Sequence, residues 1–118
     1  MSERDVGFYV EDMLEFAQRA HDYASGLTEA TLTIEQMRYD AILRNIELIG
    51  EAATHVPAEV RDMAADVPWQ MIIGARNRVA HGYLGIASET VWNILEQQIP
   101  ALQAALRSLL ARMPRPKP

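Results

Sequence analysis

The residue types best suited to acid–base and anion chemistry crowd into one stretch, Ile73-Gly-Ala-Arg76-Asn77-Arg78-Val-Ala-His81-Gly82-Tyr83. Histidine is the natural proton carrier near neutral pH. Arginine supplies fixed, forked positive charge for a phosphate. RNA cleavage by its own 2′-hydroxyl needs a base for that hydroxyl, an acid for the leaving 5′-oxygen and positive charge for the crowded phosphorane. Arg76 and His81 match those needs without a metal ion, with Asn77 as a polar neighbour. One chain offers a single well-placed histidine in this stretch. A symmetric dimer joining two such faces would offer two His and two Arg.

These groups must be carried by a helix. Pro68 can open one, Trp69 to His81 fill it, and Gly82 ends it as a C-cap. At about 100° per residue from Arg76, Asn77 falls near 100° and His81 near 140°. Tyr83 returns to roughly −20° if the turn persists, and Arg78 at about 200° points elsewhere. Spacing alone is weak evidence, because ten Arg and three His give roughly 0.25 such pairs by chance. The plain alternative is that Arg76 and Arg78 are solvated charges and His81 a last-turn residue favoured by the helix dipole.

The rest of the chain narrows the classes. Its 118 residues fit one domain, 49% apolar and 23% charged, the balance of an ordinary globular protein. With no cysteine, disulfide frameworks, thiolate metal sites, Fe–S clusters and a cysteine nucleophile are excluded. The N-terminus MSERDVGFYVEDM is charged and does not read as a signal peptide. No run approaches the length that spans a membrane, and the expected location is cytoplasmic. Residues 1–68 carry 5 Arg and 14 acids, a net −9, while residues 69–118 carry 6 cations and 2 acids, a net +4. This split opposes an all-over nucleic-acid coat and permits a local anion site in the C-terminal half. Lys117 is the only lysine among eleven cations, a bias explained equally by phosphate contact or by a GC-rich genome.

Apolar spacing is helical nearly throughout. Val6, Val10, Met13, Ala17, Ala20, Ala24 and Leu27 form one stripe, and Gly26 marks its end. A second helix is predicted from Thr33, where Thr33-x-x-Gln36 fits a capping box. It carries a stripe through Ile42, Ile46, Ile49, Ala53 and Val56, and a second row of Ile34, Met37, Ala41, Leu48 and Ala52. Pro57 precedes a short helix over 58–65. Ser88 is expected to cap the last helix, whose stripe is Val91, Leu95, Gln98, Leu102, Ala105 and Leu109, and Pro100 should kink or break it. No segment alternates with period two. The expected fold is all-α, an up-and-down four-helix bundle with one extra short helix over residues 1–112. A basic, Pro-rich, disordered tail is expected at 113–118. Two apolar rows on the second helix predict a homodimer.

The remaining polar residues read mostly as structural. His21 and His55 are isolated, and no His pair with metal spacing exists, so no metal and no cofactor are expected. Glu47 and Glu51 sit four apart and read as a polar face rather than a di-metal site. Arg44, between apolar rows, needs a partner if half-buried, such as Asp12 or Asp40. With Asn45 it could instead line the cleft. Trp69 and Trp92 read as anchors, and the six methionines as core fillers.

RNRVAHGY resembles the R-x4–6-H motif of the HEPN superfamily, in the R-N-x3-H-x-Y form of HepT-like toxins. The resemblance extends over SERD…YVEDML, Asp40-Ala-Ile-Leu-Arg-Asn45, Ile49-Gly-Glu-Ala52, Val67-Pro-Trp69, Ile72-Ile-Gly and Val91-Trp92, and stops near Met113. It implies a HEPN-like helical bundle that dimerises with the motif facing a shared cleft. It implies a toxin that is a metal-independent ribonuclease, with Arg76 and His81 catalytic and Asn77 supporting. It implies a partner, an MntA-type minimal nucleotidyltransferase antitoxin, which adds AMP to Tyr83. Family members often carry Gly-x-Asp after the motif tyrosine. Here the stretch is Leu84-Gly85-Ile86-Ala87, with Ala87 where the acid is expected. A second reading follows, a non-catalytic module that binds a nucleotide or a nucleotidyltransferase. A third is a plain structural bundle dimer. The RNA is expected to be tRNA or mRNA.

Overall fold

The computed structural model describes residues 5–82 and 86–113. Tyr83, the expected AMP acceptor, lies outside the described residues, as does the expected tail apart from Met113. The described residues form helices in the order α1 (Val6–Tyr23), α2 (Gln36–Ala53), α3 (Ala58–Met63), α4 (Trp69–Ala80), α5 (Ser88–Asn93), a π-helical turn (Ile94–Gln98) and α6 (Ile99–Arg112). The all-helical reading of the periodicity matches this architecture. α1 packs against α2 and α6, and α2 also packs against α4. Val10 and Met13 of α1, Ile42 and Leu43 of α2, and Leu106 and Leu109 of α6 are fully buried. Each such aliphatic side chain contributes about 1.5–3 kcal/mol on burial.

Helix starts depart from expectation in two places. α2 begins at Gln36, not near Thr33, and Glu35 precedes it with no side-chain cap. The capping box does not form. Thr28 and Thr31 instead bond one another, the Thr28 N–H donating to Thr31 Oγ1 at 2.8 Å and the Thr31 N–H to Thr28 Oγ1 at 3.3 Å. Such threonine turns offer the backbone an alternative to the helix. Ser88 is the first residue of α5 and caps nothing, and Ala87 holds the cap position without a side-chain bond. By contrast Asp5 caps α1, accepting from the Gly7 N–H at 2.8 Å.

The expected disruption at Pro100 takes the form of a π-helical turn that interrupts the α-helical run between α5 and α6 without ending it. Pro100 itself occupies the first turn of α6, where a missing N–H is tolerated. The π-helical turn just before it lets the Ile99 N–H reach back to the Ile94 carbonyl, the wider spacing of a π-bulge. The apolar phase slips accordingly. Ile99 is 1% exposed, while Gln98, placed in the stripe by the sequence, is only half-buried. The methionines also differ from expectation. Met13 is fully buried, whereas Met37, Met63 and Met71 are exposed, as is Ile34.

Candidate functional site

α4 is fixed at its start before it delivers any polar group. Trp69 is buried, and its Nε1–H donates to the Ala64 carbonyl at 3.1 Å. The Arg61 guanidinium sits 5.8 Å from the Trp69 ring centroid. It also donates to the Val56 and Ala53 carbonyls, closing the open end of α2. One turn further along α4, Gly50 of α2 sets the helix separation. A β-carbon there would overlap Arg76 Cβ and lie 2.9 Å from the Ile72 carbonyl oxygen. Only a glycine lets α4 approach this closely.

That approach determines how Arg76 is held. Its stem lies against Gly50, and its Nε–H is buried with no acceptor among the described residues. Its Nη1 donates to Asn77 Oδ1 at 2.8 Å, and its Nη2 to Glu51 Oε2 at 2.7 Å. The Arg76 side chain is 33% exposed, so the fork reaches solvent while its root is enclosed.

His81 is exposed and holds the C-cap of α4. Its Nδ1 lies 2.7 Å from the Asn77 carbonyl oxygen. A carbonyl can only accept, so Nδ1 carries the proton. Nε2 is then the atom free to take up or release a proton in the neutral and charged forms. The His81 backbone N–H shares the same carbonyl at 3.2 Å. Gly82 follows at φ +116°, with its N–H on the Val79 carbonyl at 3.0 Å. This is the left-handed step, favoured by glycine, that ends the helix just past the histidine.

Of the residues the sequence singled out, Arg76, Asn77 and His81 are brought together by Asn77. Its side chain holds Arg76 and its main chain holds His81. Arg78 is exposed and outside this set. His21 is exposed on α1, and His55 stacks on Tyr9 with ring centroids 4.7 Å apart. Arg44 corrects an expectation. Its side chain is 60% exposed and pairs with Glu47 on the same helix at 3.1 Å, so neither Asp12 nor Asp40 is needed. Asn45 is the buried member, donating to the Ala41 carbonyl at 2.8 Å. Glu47 and Glu51 lie one turn apart on α2, both part-exposed and each paired with an arginine, Glu47 with Arg44 and Glu51 with Arg76 across to α4. Sequence reasoning missed Gly50 and Glu51 as site residues. Gly50 had no signal beyond membership of Ile49-Gly-Glu-Ala52, and Glu51 stood out only as one of two carboxylates four apart on α2. Among the described residues no group of three or more His, Asp or Glu is placed to hold a metal ion. No described helix is long and apolar enough to cross a membrane.

Comparison with known proteins places this geometry in context. A family model described as ribonuclease HepT-like matches residues 13–109, a span that includes Gly50, Glu51, Arg76, Asn77 and His81. The chain is 30% identical to a Methanocaldococcus jannaschii protein named "Putative RNase", over 87% of this chain and 94% of the relative. It is 27% identical to a "Putative RNase" of Caldanaerobacter subterraneus, over 88% of this chain and 93% of that one. It is 23% identical to a "Probable ribonuclease HepT" of Thermococcus cleftensis, over 86% and 92% of the two chains. No solved structure matches.

Proposed function

Because the chain belongs to the HepT-like ribonuclease family, we propose that it is the toxin of a toxin–antitoxin pair and cleaves RNA without a metal ion, with His81 and Arg76 as the catalytic residues. The observation that carries this reading is the double hold exerted by Asn77. It presents a guanidinium and an oriented imidazole from one turn of helix. In the neutral histidine, Nε2 accepts the proton of the 2′-hydroxyl as that oxygen attacks phosphorus. A second, protonated histidine gives its Nε2 proton to the departing 5′-oxygen. The products are a 2′,3′-cyclic phosphate and a 5′-hydroxyl, and the two imidazoles have exchanged protonation states. Arg76 faces the extra negative charge of the phosphorane.

The second histidine comes from a second copy of the chain. An apolar groove lined by Ile49, Met71, Ile72, Ile94, Ile99 and Leu102 runs beside α4, and exposed Met71 lies on it. Separately, Ile34 and Met37 are exposed around the start of α2. These features support a homodimer. In this reading residues 1–112 are the working domain, and the site of action is the cytoplasm, where tRNA and mRNA reside. The inactivating partner is an MntA-type nucleotidyltransferase that adds AMP to Tyr83. The added phosphate would pair with Arg76 and the adenosine would fill the cleft.

The test is cleavage of total RNA in chelator by wild type and His81→Ala, beside growth after induced expression of each. Cleavage and growth arrest by wild type alone are expected. Equal cleavage by both proteins refutes the assignment of His81. One observation favours a second reading, a non-catalytic module that binds a nucleotide or the nucleotidyltransferase. Ala87 supplies no side chain to cap α5 where family members often carry an acid. That reading predicts a tight complex with the partner and no arrest on expression alone.

A further inference from the structure

The Glu51–Arg76 contact joins two helices far apart in the sequence, and nothing in the reading above uses Glu51. We propose that Glu51 is a positioning residue for Arg76, aiming the guanidinium at the scissile phosphate; this rests on the ribonuclease reading.

A guanidinium has five N–H donors in one rigid plane. In Arg76 the Nε–H is buried, one Nη1 donor is committed to Asn77 and one Nη2 donor to Glu51. One N–H on each terminal nitrogen remains, and these two are the donors available to a phosphate. Their direction is set by the plane of the fork. Gly50 fixes the root of the side chain, while Asn77 and Glu51 hold its two terminal nitrogens, Nη1 and Nη2. Asn77 is adjacent in sequence on the same helix, so it cannot by itself report the position of α2. Glu51 can, and it ties the fork to the helix on which α4 rests.

The carboxylate also carries a cost. It sits 2.7 Å from the guanidinium and repels an incoming phosphate, so it weakens ground-state binding of RNA. Its place beside Arg76 in a half-exposed position is explained by orientation rather than by affinity. Exposed ion pairs contribute little to stability, so Glu51 variants are expected to fold.

The experiment measures kcat and KM for a short RNA with wild type, His81→Ala, Glu51→Ala and Glu51→Gln, each checked for its helical signal. Loss of cleavage in His81→Ala secures the underlying reading. Glu51→Ala is then expected to lower kcat about tenfold, since small misplacements of a catalytic group are costly. Its KM should stay level or fall by up to about threefold, because a like charge near the phosphate is gone. Glu51→Gln keeps an acceptor for Nη2 and is expected to restore most of kcat while keeping the lower KM. Glu51→Ala with kcat within about twofold of wild type overturns the proposal and leaves the ribonuclease reading standing. So does Glu51→Gln falling as far as Glu51→Ala. Wild type that cleaves no better than His81→Ala overturns both.

Discussion

The close crossing of α2 and α4 at Gly50 gives a prediction whose sign separates two opposing effects. In Gly50→Ala the new methyl would overlap Arg76 Cβ and lie 2.9 Å from both Arg76 Cγ and the Ile72 carbonyl oxygen. Neither Arg76 Cβ nor the carbonyl can rotate away, because both are fixed to the backbone of α4. The helices must therefore part by about an ångström. Overpacking of this kind costs about 1–3 kcal/mol, and a backbone contact belongs at the upper end. Alanine is preferred to glycine inside a helix by about 1 kcal/mol. The net expectation is a loss of about 1–2 kcal/mol, or a fall in Tm of roughly 4–8 °C in all. Gly74 on α4 is the matched control, since a β-carbon there meets nothing within 4 Å. Gly74→Ala should be stabilising by up to about 1 kcal/mol. Both are read by thermal and urea unfolding followed by circular dichroism. A Gly50→Ala protein as stable as wild type, or two glycines that respond alike, would refute the crossing described above.

Two further outcomes are expected. Gly82→Ala forces an L side chain into φ +116° and should cost about 1–3 kcal/mol of stability while disturbing the C-cap that aims His81, so RNA cleavage should fall at temperatures where the variant is still folded. Burial, aided by the neighbouring Asp40 charge, raises the pKa of Tyr39 in the folded protein. The stability this contributes is complete below the ordinary phenolic pKa and is lost as pH rises through the folded-state value. Unfolding free energies measured from about pH 9 to 11 should therefore fall with pH, and Tyr39→Phe should flatten that slope. An equal slope in both proteins would rule out Tyr39 as the source.

Periodicity carried most of the fold, because the stripes of α1, α2 and α6 are wide and regular. Val10, Met13, Ala17 and Ala20 are all fully buried as spacing predicts. Helix starts were less legible. A Thr-x-x-Gln pattern is not sufficient for a capping box, and here Thr28 and Thr31, upstream of Thr33, bond one another while α2 starts without a side-chain cap. The π-helical turn left no pattern of its own, since Pro100 is compatible with a kink, a break or a shifted phase. For the site, Arg76, Asn77 and His81 were visible as a local cluster on one helix. Glu51 was not, because its partner lies 25 residues away and only the helix packing brings them together. Arg44 misled for the complementary reason. A charge flanked by apolar rows looks half-buried on a helical wheel, but a long side chain can reach past those rows into solvent.

The division of labour inside Asn77 has an evolutionary consequence. The grip on Arg76 belongs to its side chain, and any substitution at position 77 alters it. The hold on His81 belongs to its carbonyl, which every amino acid supplies. Drift at this position can therefore retune the arginine while the tautomer of the histidine is inherited unchanged. Only a change in the path of the chain at the helix end would release it. Two features of the local geometry are thus encoded in one codon, one altered by substitution and the other insensitive to it.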